Sequence, residues 1–87
     1  MKTNNIDGNP EILLKNLGKI HTTPMGVERI RRNLQLADID VVDFCKSKID
    51  SPACRISKNG KNWYCETDGI VITVNSFSYT IITAHTK

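Results

Sequence analysis

The stretch ACRISKNGKNWYCETDGIVITVNSFSYTIITAHTK, residues 53–87, decides the fold. Apolar and polar residues alternate along it, and Asn59-Gly60 and Asp68-Gly69 interrupt the alternation. Both dipeptides tolerate the positive φ that a two-residue hairpin loop requires. Taken as loops, the first sets Ser57 against Asn62, Ile56 against Trp63, Arg55 against Tyr64 and Cys54 against Cys65. The second sets Thr67 against Ile70, Cys65 against Ile72, Trp63 against Val74 and Asn62 against Asn75. A third turn at Ser76-Phe77, where neither residue favours positive φ, sets Val74 against Tyr79, Ile72 against Ile81 and Thr73 against Thr80.

Successive strand residues point to opposite faces. One face therefore collects Cys54, Ile56, Trp63, Cys65, Ile70, Ile72, Val74, Tyr79 and Ile81. The other collects Arg55, Ser57, Asn62, Tyr64, Glu66, Val71, Thr73, Asn75, Ser78, Thr80, Ile82 and Ala84. A slip of one residue in any strand exchanges its two sets.

Upstream lie the covers for the oily face. Residues 1–8 are polar and read as a flexible tail. Asn9-Pro10 starts a helix over 10–20 by cap and first-turn proline, with Leu13, Leu17 and Ile20 on one side and Gly18 weakening it. Thr23-Pro24 starts a second over 24–34, with Val27, Ile30 and Leu34 inward. Asp38 or Asp40 caps a third over 39–50, which buries Val41, Val42, Cys45 and Ile49 and stops at Ser51-Pro52. The whole predicts a single α+β domain over 9–87. It has two layers: three N-terminal helices packed on one face of a four-stranded antiparallel meander, with strands near 53–58, 61–67, 70–75 and 78–85.

At 87 residues the chain is sized for one domain. It has no apolar run long enough to span a membrane, and its first residues, MKTNNIDGNPE, lack the apolar core of a secretory signal. Three cysteines are an odd number for a disulfide framework and show no zinc spacing, which points to a reducing cytoplasm with no metal or cofactor. A net charge of +3 and a pI of about 8.9 permit a polyanionic partner without requiring one.

Function is sought on the uncovered polar face. Tyr64 amid Asn62, Thr73, Asn75 and Thr80 suits stacking on a base while amides and hydroxyls hold sugar and phosphate oxygens. Rows of Thr and Asn are equally an ordinary soluble sheet surface. Arg55 offers a planar fork for phosphate, Lys61 adds charge at the first turn, and Arg29 adds it on the second helix, where a charge run is ordinarily a solvated face. Histidine is the residue type that exchanges a proton near neutrality. His21 lies in the hinge between the first two helices. His85 falls by alternation on the helix-side face at the sheet's rim, so a β-bulge is needed to bring it to the open face. Each histidine read alone is a structural or solvated one. Cys54 and Cys65, with Cys45, read as core residues.

Two segments, HTTPMGVERIRRNL (21–34) and GKNWY (60–64) with ITVNSFSYTIITAH (72–85), resemble a small bacterial family catalogued as domain of unknown function 3781. A looser similarity is to the barnase, colicin-nuclease and RelE-like ribonuclease toxins, which place helices before an antiparallel meander. That likeness implies metal-independent RNA cleavage on the open face, with His85 or His21, Arg55 and Tyr64 as catalytic candidates and Lys61, Asn62, Thr73, Asn75, Thr80 and Arg29 as binding candidates. A clear catalytic carboxylate is missing, since Glu66 is the only acid on that face. The alternative is a non-catalytic module binding a protein or small ligand, as monomer or as homodimer through an open strand edge.

Overall fold

A computed structural model describes residues 9–87, and the expected tail at 1–8 lies outside them. The elements run α1 (Pro10–Lys15), a 3₁₀ turn (Leu17–Lys19), α2 (Pro24–Leu34), α3 (Val41–Ile49), β1 (Arg55–Asn59), β2 (Asn62–Thr67), β3 (Ile70–Asn75) and β4 (Ile81–Thr86). The four strands form one antiparallel sheet in sequence order. This is the expected α+β arrangement.

The helix starts follow their caps. The Asn9 side chain accepts from the Glu11 N–H, Thr23 from Gly26 and Asp40 from Asp43. The first helix is shorter than expected. Asn16 folds back to donate to the Ile12 carbonyl, and the chain tightens into the 3₁₀ turn around Gly18. Leu13, Ile20, Ile30, Val41, Cys45 and Ile49 from the helical half meet Trp63, Cys65, Ile70, Ile72, Val74, Ile81 and Ala84 of the sheet in one buried cluster.

The second hairpin forms in the predicted register, with Asp68 (φ 52°) and Gly69 (φ 76°) both left-handed as a type I′ loop requires. The first hairpin does not. Its loop is Gly60-Lys61, so Asn59 pairs with Asn62, Lys58 with Trp63, Ser57 with Tyr64, Ile56 with Cys65 and Arg55 with Glu66. Only Gly60 carries positive φ (64°), the pattern of a type II′ turn, whose first position favours glycine. The shift is two residues, so every side chain keeps its expected face. The expected Cys54–Cys65 pairing is replaced, and all three cysteines are free thiols.

The third turn departs further. Asn75 and Thr80 close a wider loop, with the Asn75 N–H donating to the Thr80 carbonyl and the Tyr79 N–H to that of Asn75. The Asn75 side chain accepts from the N–H groups of Phe77 and Ser78. Val74 then pairs with Ile81 but Thr73 with Thr83, which leaves Ile82 as the extra residue of a β-bulge. Beyond the bulge the faces exchange. Ala84, expected on the open face, is buried opposite Ile72, and His85, expected on the helix side, lies opposite Val71 on the open face.

Candidate functional site

The segment between α1 and α2 lies along the start of β4 as a short parallel bridge. The His21 N–H donates to the Tyr79 carbonyl, and the Ile81 N–H donates to that of His21. The Thr22 hydroxyl donates to the Ile81 carbonyl. This clasp sets the His21 and Thr80 side chains side by side at the rim of the open face.

The imidazole is held on both sides. His21 Nδ1 lies 2.9 Å from the Lys19 carbonyl, which can only accept, so Nδ1 carries a hydrogen. Nε2 faces Thr80 Oγ1 at 3.2 Å, and in the neutral ring it is the bare nitrogen. Thr80 Oγ1 lies 2.8 Å from Ser78 Oγ, and Ser78 Oγ lies 3.2 Å from Asn75 Oδ1. A hydroxyl on the base nitrogen, with the base oriented by a third group, is an arrangement able to move a proton. Tyr79, inside this loop, takes φ of 60°, a costly conformation for an aromatic residue, and the Lys19 ammonium sits 5.6 Å from its ring centroid.

The other expected residues divide into two groups. Asn62 pairs with Asn75 and sends its amide to the Tyr64 hydroxyl at 3.5 Å, while Tyr64 pairs with Thr73. The Lys61 carbonyl accepts from the Ser76 N–H, which ties the β1–β2 turn to the β3–β4 loop. So Lys61, Asn62, Tyr64, Asn75, Thr80 and His21 gather toward one end of the open face, whereas Thr73, expected there as a binding group, is buried and closed to a ligand. The segments 17–23, 59–61 and 76–80 that build this end contain Lys19 and Lys61 and no acid.

Arg55, His85 and Arg29 lie elsewhere. Arg55 and His85 share the row Arg55–Glu66–Val71–His85, separated by three strand spacings, or about 14 Å between backbones. Five strand residues separate His85 from Thr80, roughly 16 Å. Among the described residues His85 Nδ1 bonds the Thr86 carbonyl alone, at 2.9 Å. Arg29 lines a shallow depression on α2 with Pro24, Met25, Glu28 and Arg32.

In the sequence Ser78 is one polar residue of the open face among many, and the Lys19 carbonyl leaves no mark there. The first could have been found from Asn-x-x-Ser at a loop start, where Asn side chains bond nearby backbone groups. The second has no sequence signal, because any residue supplies a carbonyl. Among the described residues, no three His, Cys, Asp or Glu side chains are placed to hold a metal ion, and no helix is long and apolar enough to cross a membrane.

These observations define an α+β sheet protein with an imidazole–hydroxyl cluster at one rim of its open face. Residues 14–85 match the family described as Protein of unknown function (DUF3781), and the chain belongs to that family. No curated protein and no solved structure matches it.

Proposed function

We propose that the protein binds RNA across the Tyr64 end of the open face and cleaves it without a metal. The observation that carries this reading is the His21–Thr80 contact, an oriented imidazole against a hydroxyl beside two lysines and a half-buried tyrosine. A base stacked on Tyr64 brings its phosphate toward Lys61 and the Ser78 and Thr80 hydroxyls. His21 Nε2, bare in the neutral ring, takes the proton of the ribose 2′-hydroxyl in place of its contact with the Thr80 hydroxyl. The 2′-oxygen bonds phosphorus, the bond to the 5′-oxygen breaks, and the imidazolium returns a proton to that leaving oxygen. Thr80 and Ser78, freed to rotate, donate to the phosphate oxygens as charge builds there. His85 takes no part in this scheme, and Arg55 serves only as a distant phosphate contact.

Incubating the protein with mixed RNA in EDTA tests this. The expected products end in 2′,3′-cyclic phosphates. RNA left intact at high protein concentration counts against cleavage.

A non-catalytic binding module is the second reading, and the clasp itself favours it. The backbone bridge at His21 sets the same two side chains together even if no chemistry follows. That reading expects RNA or protein capture that survives loss of the imidazole.

A further inference from the structure

The β3–β4 loop has a second side. Toward the helices, Ile12, Lys58, Trp63, Ser76 and Phe77 line a cleft of about 200 Å³. Trp63 is 1% exposed, yet its indole Nε1 has no hydrogen-bond partner among the described residues, and neither has the buried Ser76 Oγ. A buried donor left unpaired costs on the order of 1–3 kcal/mol, so a site that keeps one is suited to a ligand that accepts from it. Lys58 is directly opposite Trp63 in the sheet and places its chain on the same side. Phe77, 75% exposed, adds a bare aromatic ring at the cleft.

Each of these groups asks for one feature of a ligand. The indole N–H only donates, and an ammonium only donates and is positive. Together with the serine hydroxyl they match an anionic group rich in acceptors. The exposed phenyl ring matches a flat ring, which stacks on it with little regard to its identity. We propose that this cleft is a nucleotide subsite: the phosphate contacts Lys58 and Ser76, Trp63 Nε1–H donates to a phosphate or sugar oxygen, and the base lies on Phe77. The choice of a nucleotide over other flat anions rests on the RNA reading above; the existence of an anion-accepting cleft does not. The loop that carries Ser76 and Phe77 also carries Ser78 and Thr80, so a strand crossing it would meet both sites.

Trp63 is the single tryptophan of the chain and reports on the cleft directly. Titrating uridine and adenosine monophosphates while following its fluorescence and its indole N–H resonance should give a saturable change. Lys58→Ala and Phe77→Ala, both surface changes, should each weaken that binding, the first by roughly tenfold or more as for a hydrogen bond to a charged group. A 2′-O-methyl tetranucleotide, which cannot be cleaved through its 2′-oxygen, separates the two sources. Tighter binding than the monophosphate assigns the cleft to a chain, and equal binding assigns it to free nucleotide. No saturable change up to about 10 mM, where even millimolar affinity is visible, overturns the proposal. So does uridine binding as well as its monophosphate, or Lys58→Ala binding like the parent. Nucleotide binding without RNA cleavage would defeat the cleavage reading alone, and His21-dependent cleavage with a silent Trp63 would defeat the cleft alone.

Discussion

His21 Nε2 and the Thr80 hydroxyl stand 3.2 Å apart although 59 residues separate them in the chain. The contact exists because the hinge between α1 and α2 extends the sheet at the edge of β4. If it serves proton transfer, His21→Ala should lower RNA cleavage by about 10²–10⁴-fold, the usual contribution of a positioned acid–base group. His85→Ala should leave the rate within a factor of about 3, since it removes no group from the site. Single-turnover rates in EDTA for the two variants make the comparison.

The bulge at Ile82 predicts an asymmetry in stability. Ala84 is fully buried behind it and Ile82 is 40% exposed. Ala84→Asn should cost about 2–3 kcal/mol, because it forces an amide into apolar packing. Ile82→Thr should cost less than about 1 kcal/mol. In the bulge-free register the order would reverse in part, with Ala84→Asn tolerated on an open surface. Urea midpoints decide it.

Gly26 should resist substitution where Gly18 does not. A Cβ on Gly26 would collide with Thr22 Oγ1, and Thr22 is one of the ties between the hinge and β4. Gly26→Ala gains up to about 1 kcal/mol of helix propensity but overpacks this contact, so a net loss of roughly 1–2 kcal/mol follows. Gly18→Ala meets nothing within 4 Å and should be near neutral. Thermal unfolding of both variants, with RNA cleavage as a second readout for Gly26→Ala, tests the link between this tie and the site.

Burial pushes the Cys45 thiol up to about 11 and the Cys65 thiol up to about 12, from 9.0, and also raises that of the half-buried Cys54. The unfolded chain therefore loses these protons first as pH rises. Stability is intact below about pH 9 and declines from there to about 11 for Cys45 and about 12 for Cys65, by up to about 1.4 kcal/mol per pH unit for each buried thiol. Iodoacetamide at pH 8 should label Cys54 well before Cys45 or Cys65 in the folded protein. Urea midpoints across pH 8 to 11 that stay flat in the parent and in Cys45→Ala alike would contradict the assignment.

Much of this fold is legible in the chain because its strongest local signals agree. Asp68-Gly69 specifies its hairpin outright, since both residues accept positive φ. Asn59-Gly60 does not, because Gly60 serves as well at the first position of a type II′ loop as at the second of a type I′ loop, and a two-residue slip leaves the oily face unchanged. The last hairpin is the least legible. Its loop is held by Asn75 side-chain bonds and a left-handed Tyr79, neither of which a turn dipeptide announces. A bulge adds one residue without altering the composition, so the sequence names it as the condition for His85 to reach the open face but does not place it. For the site, the types were visible but not the grouping. The sequence register puts Thr80 and Asn75 near Arg55, whereas the tertiary clasp brings them His21.

In the proposed cleavage His21 moves the proton and Thr80 steadies the phosphate. A double-mutant cycle with His21→Ala, Thr80→Val and the pair, read as RNA cleavage rate in EDTA, separates the two tasks. Separate tasks predict losses that multiply, so the double variant is slower than His21→Ala alone. A double variant no slower than His21→Ala, or a His21→Ala variant that cleaves like the parent, would contradict the scheme.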